Sequence, residues 1–133
     1  MRLVYPDLPR RYMATVIDLM FVLSMFILSS FLLQGDDTIT VRTRISLTCL
    51  LIFMYEPFFT SRLCTIGQWA MRIRVRDYRS LEKISITAAY LRIFIKLVLG
   101  FISFLTIPAD SAKRGIHDIA VGSVVIVKER SEF

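Results

Sequence analysis

A long apolar segment near the N-terminus limits what this chain can fold into. Residues 12–33 hold one charged side chain, Asp18, among 22 residues. As a helix rising about 1.5 Å per residue, the segment is about 33 Å long and crosses a hydrocarbon core of about 30 Å. It is apolar on every face, unlike a surface helix of a soluble domain. We predict a first membrane span at about residues 12–34, with Arg10 and Arg11 at its cytoplasmic end.

The composition agrees with one small integral membrane domain that covers residues 1–133. Hydrophobic residues make up 55% of the chain, and the mean hydropathy is +0.59, which is high for a soluble domain. The net charge is +6, and the basic residues lie between the apolar segments. This distribution fits contact with anionic lipid headgroups better than binding of nucleic acid. Cys49 and Cys64 are expected to be free thiols rather than a disulfide framework.

A second apolar segment, at about residues 45–60, follows a short polar turn at residues 35–38. Because the connection is short, this second span must return antiparallel to the first. Glu56 lies near its cytoplasmic end and precedes Pro57, which removes a backbone donor and is expected to kink the helix.

A third apolar segment, at about residues 85–107, fits two different structures. One helical stripe of it carries Arg92, Lys96, Gly100 and Ser103. The helix either crosses the membrane with this stripe toward Asp18 and Glu56, or lies in the interface with the stripe toward lipid headgroups. We predict the third crossing.

The basic loop before this segment contains a pattern typical of a β-strand. Residues 71–76 alternate strictly between apolar residues and arginine, and a turn is expected at residues 77–80. The β-branched run at residues 124–127 could pair with this strand, but that pairing would exclude a third crossing, because both ends would then be cytoplasmic. The predicted fold class is an all-α membrane protein, a small transmembrane helical bundle with a short cytoplasmic β-ribbon.

Several short motifs are spread over nearly the whole chain. An arginine is followed seven residues later by an aspartate, a Thr-x-Gly precedes the arginine-rich strand, and a closing motif follows the third segment. The residues concerned are Arg11, Asp18, Thr65, Gly67, Arg92, Arg114, His117, Asp118 and Gly122. Together they resemble the RDD family of small bacterial membrane proteins, named for one arginine and two aspartates. Gln68 and Ser123 depart from its pattern, which usually has lysine and threonine there.

The resemblance implies a protein of the bacterial inner membrane. The function of the family is largely undetermined. Transport of unidentified ligands has been suggested, and cation/proton exchange is attributed to some members. The resemblance also makes Asp118 the second aspartate of the family pattern.

Charged residues within the apolar segments form the candidate functional site. Asp18 and Glu56 are expected to meet Arg92 and Lys96, because an unpaired carboxylate in hydrocarbon costs about 3 kcal/mol. Such a cluster is either a proton or cation relay, or a structural ion pair that fixes helix register. The full candidate set is Arg11, Asp18, Glu56, Arg92, Lys96, His117 and Asp118.

His117 and Asp118 have two interpretations. A histidine oriented by a carboxylate would titrate near neutral pH, whereas a satisfied polar knot at a helix start would not. We favour the knot. One histidine without a cysteine cluster gives too few ligands for a metal, and no nucleophile–base motif or phosphate loop is visible. We therefore predict no metal, no cofactor and no enzymatic activity.

Four arginines of the basic loop are expected to contact lipid phosphates, each contributing about 1 kcal/mol near an anionic surface. They are Arg72, Arg74, Arg76 and Arg79. The alternative is a solvated strand face.

Two functions fit these observations. The first is a proton- or cation-transport subunit that works as a homo-oligomer, because three spans enclose little. In it Asp18 carries the ion, Glu56 is its neighbour and Arg92 the counter-charge. The alternative is a non-catalytic accessory or assembly protein docked on a larger membrane complex. Either protein would lie in the inner membrane with its N-terminus in the cytoplasm.

Overall fold

The structure, a computed structural model, describes residues 4–127 apart from the side chain of Phe101. It is mostly helical with a two-stranded antiparallel sheet, which confirms the predicted fold class. The helices are α1 (Leu8–Leu32), α2 (Thr38–Arg62), α3 (Ile66–Ala70), α4 (Ile86–Leu99) and α5 (Ile116–Val121), with a 3-10 helix at Gly100–Phe104; the strands are β1 (Ile73–Asp77) and β2 (Ser123–Val127).

Helices α1 and α2 are long and apolar enough to cross a membrane, and no other helix of the described residues meets that test. No residue in the most apolar window of α1 is buried against the part of the chain that the structure describes, so its side chains need lipid or another protein around them. Helix α2 begins seven residues before the predicted span, because Asp37 caps it by accepting a hydrogen bond from Thr40 N at 3.0 Å. Arg44 then closes the hairpin by donating to the carbonyl of Leu33 at 2.9 Å.

The structure overturns the predicted third crossing at residues 85–107. Helix α4 has 14 residues and is about 21 Å long, too short for the hydrocarbon core. It ends at Leu99, because the next residue, Gly100, has a φ of 51°, which favours glycine. The chain continues from Gly100 as a 3-10 helix. Because β2 pairs with β1, the chain returns to the side where α1 begins. Of the two alternatives for this segment, the structure therefore fits the interfacial helix and not the third crossing.

The ribbon carries much of the small core. Its register aligns Ile73 with Val127 and Asp77 with Ser123, which is the pairing that the predicted third crossing had excluded. Ile73 and Val75 are buried, and they pack in one cluster with Ala14 of α1 and Ala89 of α4. The core thus lies at the end of the hairpin where α1 begins and α2 finishes.

The turn after β1 forms where the sequence predicts it. The carboxylate of Asp77 accepts hydrogen bonds from the backbone of Arg79 and Ser80, both at 2.9 Å. Residues 81–85 form no strand, so the partner of β1 is β2 alone within the described residues. The backbone N–H of Val127 also donates to the carbonyl of Val4 at 2.8 Å, which places both ends of the described chain together.

Both cysteines are free thiols, as expected, Cys49 exposed and Cys64 half-buried.

Candidate functional site

The carboxylate of Asp118 joins four elements at the buried end of the hairpin. Arg92 of α4 donates from Nε to Oδ1 at 2.8 Å, and Arg11 of α1 donates from Nη2 to Oδ2. The backbone N–H of Gly115 adds a bond of 3.0 Å, and the hydroxyl of Ser123 in β2 one of 3.3 Å. Asp118 itself has no exposed surface. We call Arg11, Arg92, His117 and Asp118 the Asp118 cluster.

Burial and the two guanidinium groups set the charge states of this cluster. Burial alone would raise the pKa of Asp118, but Arg92 and Arg11 outweigh it and hold that pKa well below its usual range. Burial lowers the pKa of His117 to about 3, although Asp118 opposes that shift. His117 is therefore neutral at neutral pH, which does not fit a histidine that titrates there. Its Nδ1 is buried and has no hydrogen-bond partner among residues 4–127, so the polar knot at the start of α5 is not fully satisfied.

Asp18 lies apart from this cluster and is held by neutral donors. It accepts hydrogen bonds from the Tyr55 hydroxyl at 2.9 Å, the Thr65 hydroxyl at 2.7 Å and the Gly67 backbone N–H at 2.8 Å. The expected contact with Arg92 does not form, because Arg92 binds Asp118 instead. No lysine or arginine of residues 4–127 forms an ion pair with Asp18. We call Asp18, Tyr55, Thr65 and Gly67 the Asp18 cradle.

Glycine is required at position 67 for this cradle to form. A Cβ there would lie 2.0 Å from the carbonyl oxygen of Ala14, so the first turn of α3 rests directly on the backbone of α1. Thr65 caps α3 by accepting from Gln68 N at 3.2 Å, and the Tyr55 hydroxyl accepts from Ile66 N at 2.8 Å. The Thr-x-Gly motif therefore positions a hydroxyl and an N–H on the same carboxylate.

Glu56 and Lys96 form a third charged unit, with Nζ 2.7 Å from Oε1. Their side chains are 21% and 15% exposed, so the pair is partly shielded from solvent. The structure thus brings Glu56 to Lys96 of the third segment, but brings neither of them into an ion pair with Asp18.

A small cavity of about 20 Å³ connects the three units. Its lining includes Asp18, Glu56, Lys96, Arg92 and His117. That volume is room for about one water molecule.

Gln68, which departs from the family pattern, also lines this cavity. Its amide nitrogen donates to the Thr60 hydroxyl at 3.0 Å. Its Oε1 is buried and has no hydrogen-bond partner among residues 4–127, so it leaves an acceptor at the cavity that a lysine could not provide.

The four arginines of the basic loop lie outside the buried site. Arg74 and Arg76 are half-buried on β1, opposite the core residues Ile73 and Val75, while Arg72 and Arg79 are exposed. The alternation of the strand therefore directs the arginines away from the core, as expected for a face in contact with solvent or headgroups.

Sequence reasoning missed the neutral members of the site. Tyr55 carries no signal of its own in an apolar helix, and Ser123 stands out only as a departure from the family pattern. Thr65 and Gly67 belong to the Thr-x-Gly motif. That both of them donate hydrogen bonds to Asp18 depends on how α3 docks on α1.

An antiparallel pair of apolar helices of membrane-spanning length, with a buried set of ion pairs at one end, defines a small polytopic membrane protein. Comparison with protein families supports this class. The family model described as "RDD family" matches residues 5–122, and the chain belongs to that family. Searches of curated proteins and of solved structures found no match.

Proposed function

We propose that the protein is a transport-related subunit that moves protons or small cations across the bacterial inner membrane, with Asp18 as the ion-carrying residue. One observation carries this proposal: Asp18 lies in a membrane-spanning helix and has only neutral hydrogen-bond donors. A carboxylate without a fixed counter-ion exchanges a proton or cation at lower cost than one that is ion-paired.

Asp118 offers the contrast that makes this assignment specific. Two guanidinium groups and a backbone N–H hold it ionised, and removing a partner from a buried pair costs about 3–5 kcal/mol. Asp118 therefore has a structural role, because its ion pairs connect α1, α4 and α5. The relay role expected for the whole charged set is confined, in this proposal, to Asp18 and its neighbour Glu56.

A route for the ion begins at the small cavity beside Asp18. The cavity has room for about one water molecule, which would lie between Asp18 and the Glu56–Lys96 pair. A bridging water can pass a proton between groups too far apart for a direct hydrogen bond. The proposed path thus starts where the three charged units meet.

Two spans cannot enclose a complete path across the membrane, so the proposal includes assembly into a homo-oligomer. The exposed apolar surface of α1 supports this, since no residue of its most apolar window is fully buried against residues 4–127. An accessory or assembly protein of a larger membrane complex is the second candidate, and the same uncovered surface favours it. Neither candidate includes an enzymatic step.

The charge distribution supports a cytoplasmic N-terminus. The end of the hairpin that carries the ribbon is rich in basic residues, whereas the turn between α1 and α2 carries Asp36 and Asp37, with Arg42 and Arg44 following. The basic residues at the ribbon end include Arg10, Arg11, Arg62, Arg72, Arg74, Arg76, Arg79, Lys83, Lys113 and Arg114. We propose that Arg72, Arg74, Arg76 and Arg79 contact anionic lipid phosphates there, and that nucleic acid is not a partner.

Flux measurements on the purified protein in liposomes test the proposal. A pH-sensitive dye inside the vesicles reports proton movement when a Na⁺ or K⁺ gradient is imposed. Asp18→Asn should reduce the rate to that of protein-free liposomes, whereas Asp36→Asn, an exposed acid in the distant turn, should leave it unchanged. Wild-type flux in Asp18→Asn would overturn the transport role. Absence of flux in the wild type, with a membrane protein co-purifying in a fixed ratio, would favour the accessory role.

A further inference from the structure

A pocket of about 300 Å³ opens between α1, α2 and α4. It extends along α1 from Thr15 to Val22, toward the middle of the span, and its other walls include Ile52, Ile93 and Leu97. The volume lies at the lower end of the range for small-molecule sites, which are mostly apolar with a few placed polar groups.

The polar end of the pocket has more acceptors than donors. Asp18, Glu56 and Lys96 line it, so two carboxylates face one ammonium group. Lys96 binds Oε1 of Glu56, and the other oxygen, Oε2, receives no hydrogen bond from residues 4–127. A ligand with a positive charge would meet this unused acceptor, and one with a negative charge would be repelled.

Two aromatic rings of the lining favour the same sign of charge. Tyr55 and Phe104 both line the pocket, and the face of an aromatic ring attracts cations, quaternary ammonium groups in particular. The ring of Tyr55 is fixed in place by Phe21 and Phe59, with centroids 5.0 and 5.2 Å away. The site therefore combines a rigid aromatic wall with spare carboxylate oxygen.

We propose that this pocket binds an amphiphilic ammonium compound, with its alkyl chain between α1, α2 and α4 and its charged nitrogen beside Glu56 and Asp18. The charge at the polar end and the apolar walls both fit a ligand of this kind. The inference shares Asp18 with the proposed transport function, but it concerns binding and needs no flux.

Three probes with the same ten-carbon chain test the proposal: decyltrimethylammonium, decyl sulfate and decyl maltoside. Equilibrium dialysis against the protein in zwitterionic nanodiscs, with empty nanodiscs as the blank, measures each affinity. Decyltrimethylammonium should bind saturably, with one site per chain, and at least tenfold more tightly than the other two probes. Equal binding of all three, or no saturable binding, would overturn the proposal.

Two variants test the contributions of the Glu56 charge and of the apolar wall to binding separately. Glu56→Gln should weaken binding of decyltrimethylammonium about tenfold, whereas Glu82→Gln, an exposed acid outside the pocket, should not change it. Because Glu56→Gln leaves Lys96 unpaired and can disturb folding, Leu19→Trp provides a second test. Leu19 lines the pocket and is 65% exposed, so a larger ring there should fill the pocket and abolish binding without repacking the core. Binding retained in Leu19→Trp would refute the site.

The two proposals can fail separately. Ammonium binding together with wild-type flux in Asp18→Asn would refute transport through Asp18 and leave the pocket standing. Flux that depends on Asp18 without ammonium binding would refute the pocket alone.

Discussion

Gly67→Ala tests the contact between α3 and α1 on which the Asp18 cradle depends. A Cβ at position 67 would lie 2.0 Å from the carbonyl oxygen of Ala14, whereas real contacts are essentially never under 3.0 Å. The start of α3 must therefore move by about 1 Å, since the obstacle is backbone and cannot rotate away. The distance from Gly67 N to Asp18 Oδ1 would then open from 2.8 Å to about 3.8 Å, beyond hydrogen-bond range.

The expected cost of this substitution has two parts. Forcing an extra carbon into a filled site costs about 1–3 kcal/mol, and losing a hydrogen bond to a charged group costs about 1.5–3 kcal/mol. Because Asp18 is half-buried, solvent screens part of the second cost. We expect the free energy of unfolding to fall by about 3–4 kcal/mol.

Unfolding by SDS in mixed micelles, followed by tryptophan fluorescence, measures this change. The single tryptophan, Trp69, lies in α3, so the signal reports the element that is displaced. Gly122→Ala is the matched control, because its Cβ meets nothing within 4 Å and only its φ of 66° is unfavourable, which costs about 1–2 kcal/mol. If Gly67→Ala costs no more than Gly122→Ala, the close approach of α3 to α1 is refuted.

Three further outcomes follow from the same geometry. Asp118→Asn should lower the unfolding free energy by about 3–5 kcal/mol, because it leaves two buried guanidinium groups without their acid. A loss under about 1 kcal/mol in the SDS assay would contradict the structural role of Asp118. The free energy of unfolding should fall as the pH drops from about 6.5 toward 3. In this range the unfolded chain binds a proton on His117, whereas the folded chain, in which the pKa of His117 is about 3, does not. The decrease with pH should be smaller in His117→Gln, and an unchanged decrease would refute the lowered pKa of His117. Tyr55→Phe removes a donor to Asp18 and the acceptor for Ile66 N, so it should cost about 1–3 kcal/mol and slow proton flux, whereas Tyr78→Phe, outside the site, should do neither.

The two spans could be predicted because continuous apolarity over about 20 residues has few structural solutions. The third segment shows where that reasoning fails. Its apolar residues continue past Gly100, but a helix ends there once the backbone takes a φ of 51°. Pairing between strands separated by more than 40 residues then decides the topology, and hydropathy contains no information about it.

The charged residues of the site could be predicted from the sequence, but not which groups each of them contacts. A buried acid must be neutralised or hydrogen-bonded, and sequence alone does not distinguish these two solutions. Asp118 is neutralised by Arg11 and Arg92, whereas Asp18 is hydrogen-bonded by hydroxyl groups and a backbone N–H. Whether an acid is ion-paired or hydrogen-bonded depends on where α3 and α5 dock, and both are helices of six residues or fewer.

The bond between Arg11 and Asp118 joins positions 107 residues apart, so the ribosome completes one partner long before the other. The hairpin of α1 and α2 can enter the bilayer while Asp118 is still untranslated, and during that interval Arg11 lacks this partner. The end of the hairpin where α1 begins is consequently closed late in biogenesis, and a nascent chain halted before residue 118 would be inserted without this ion pair.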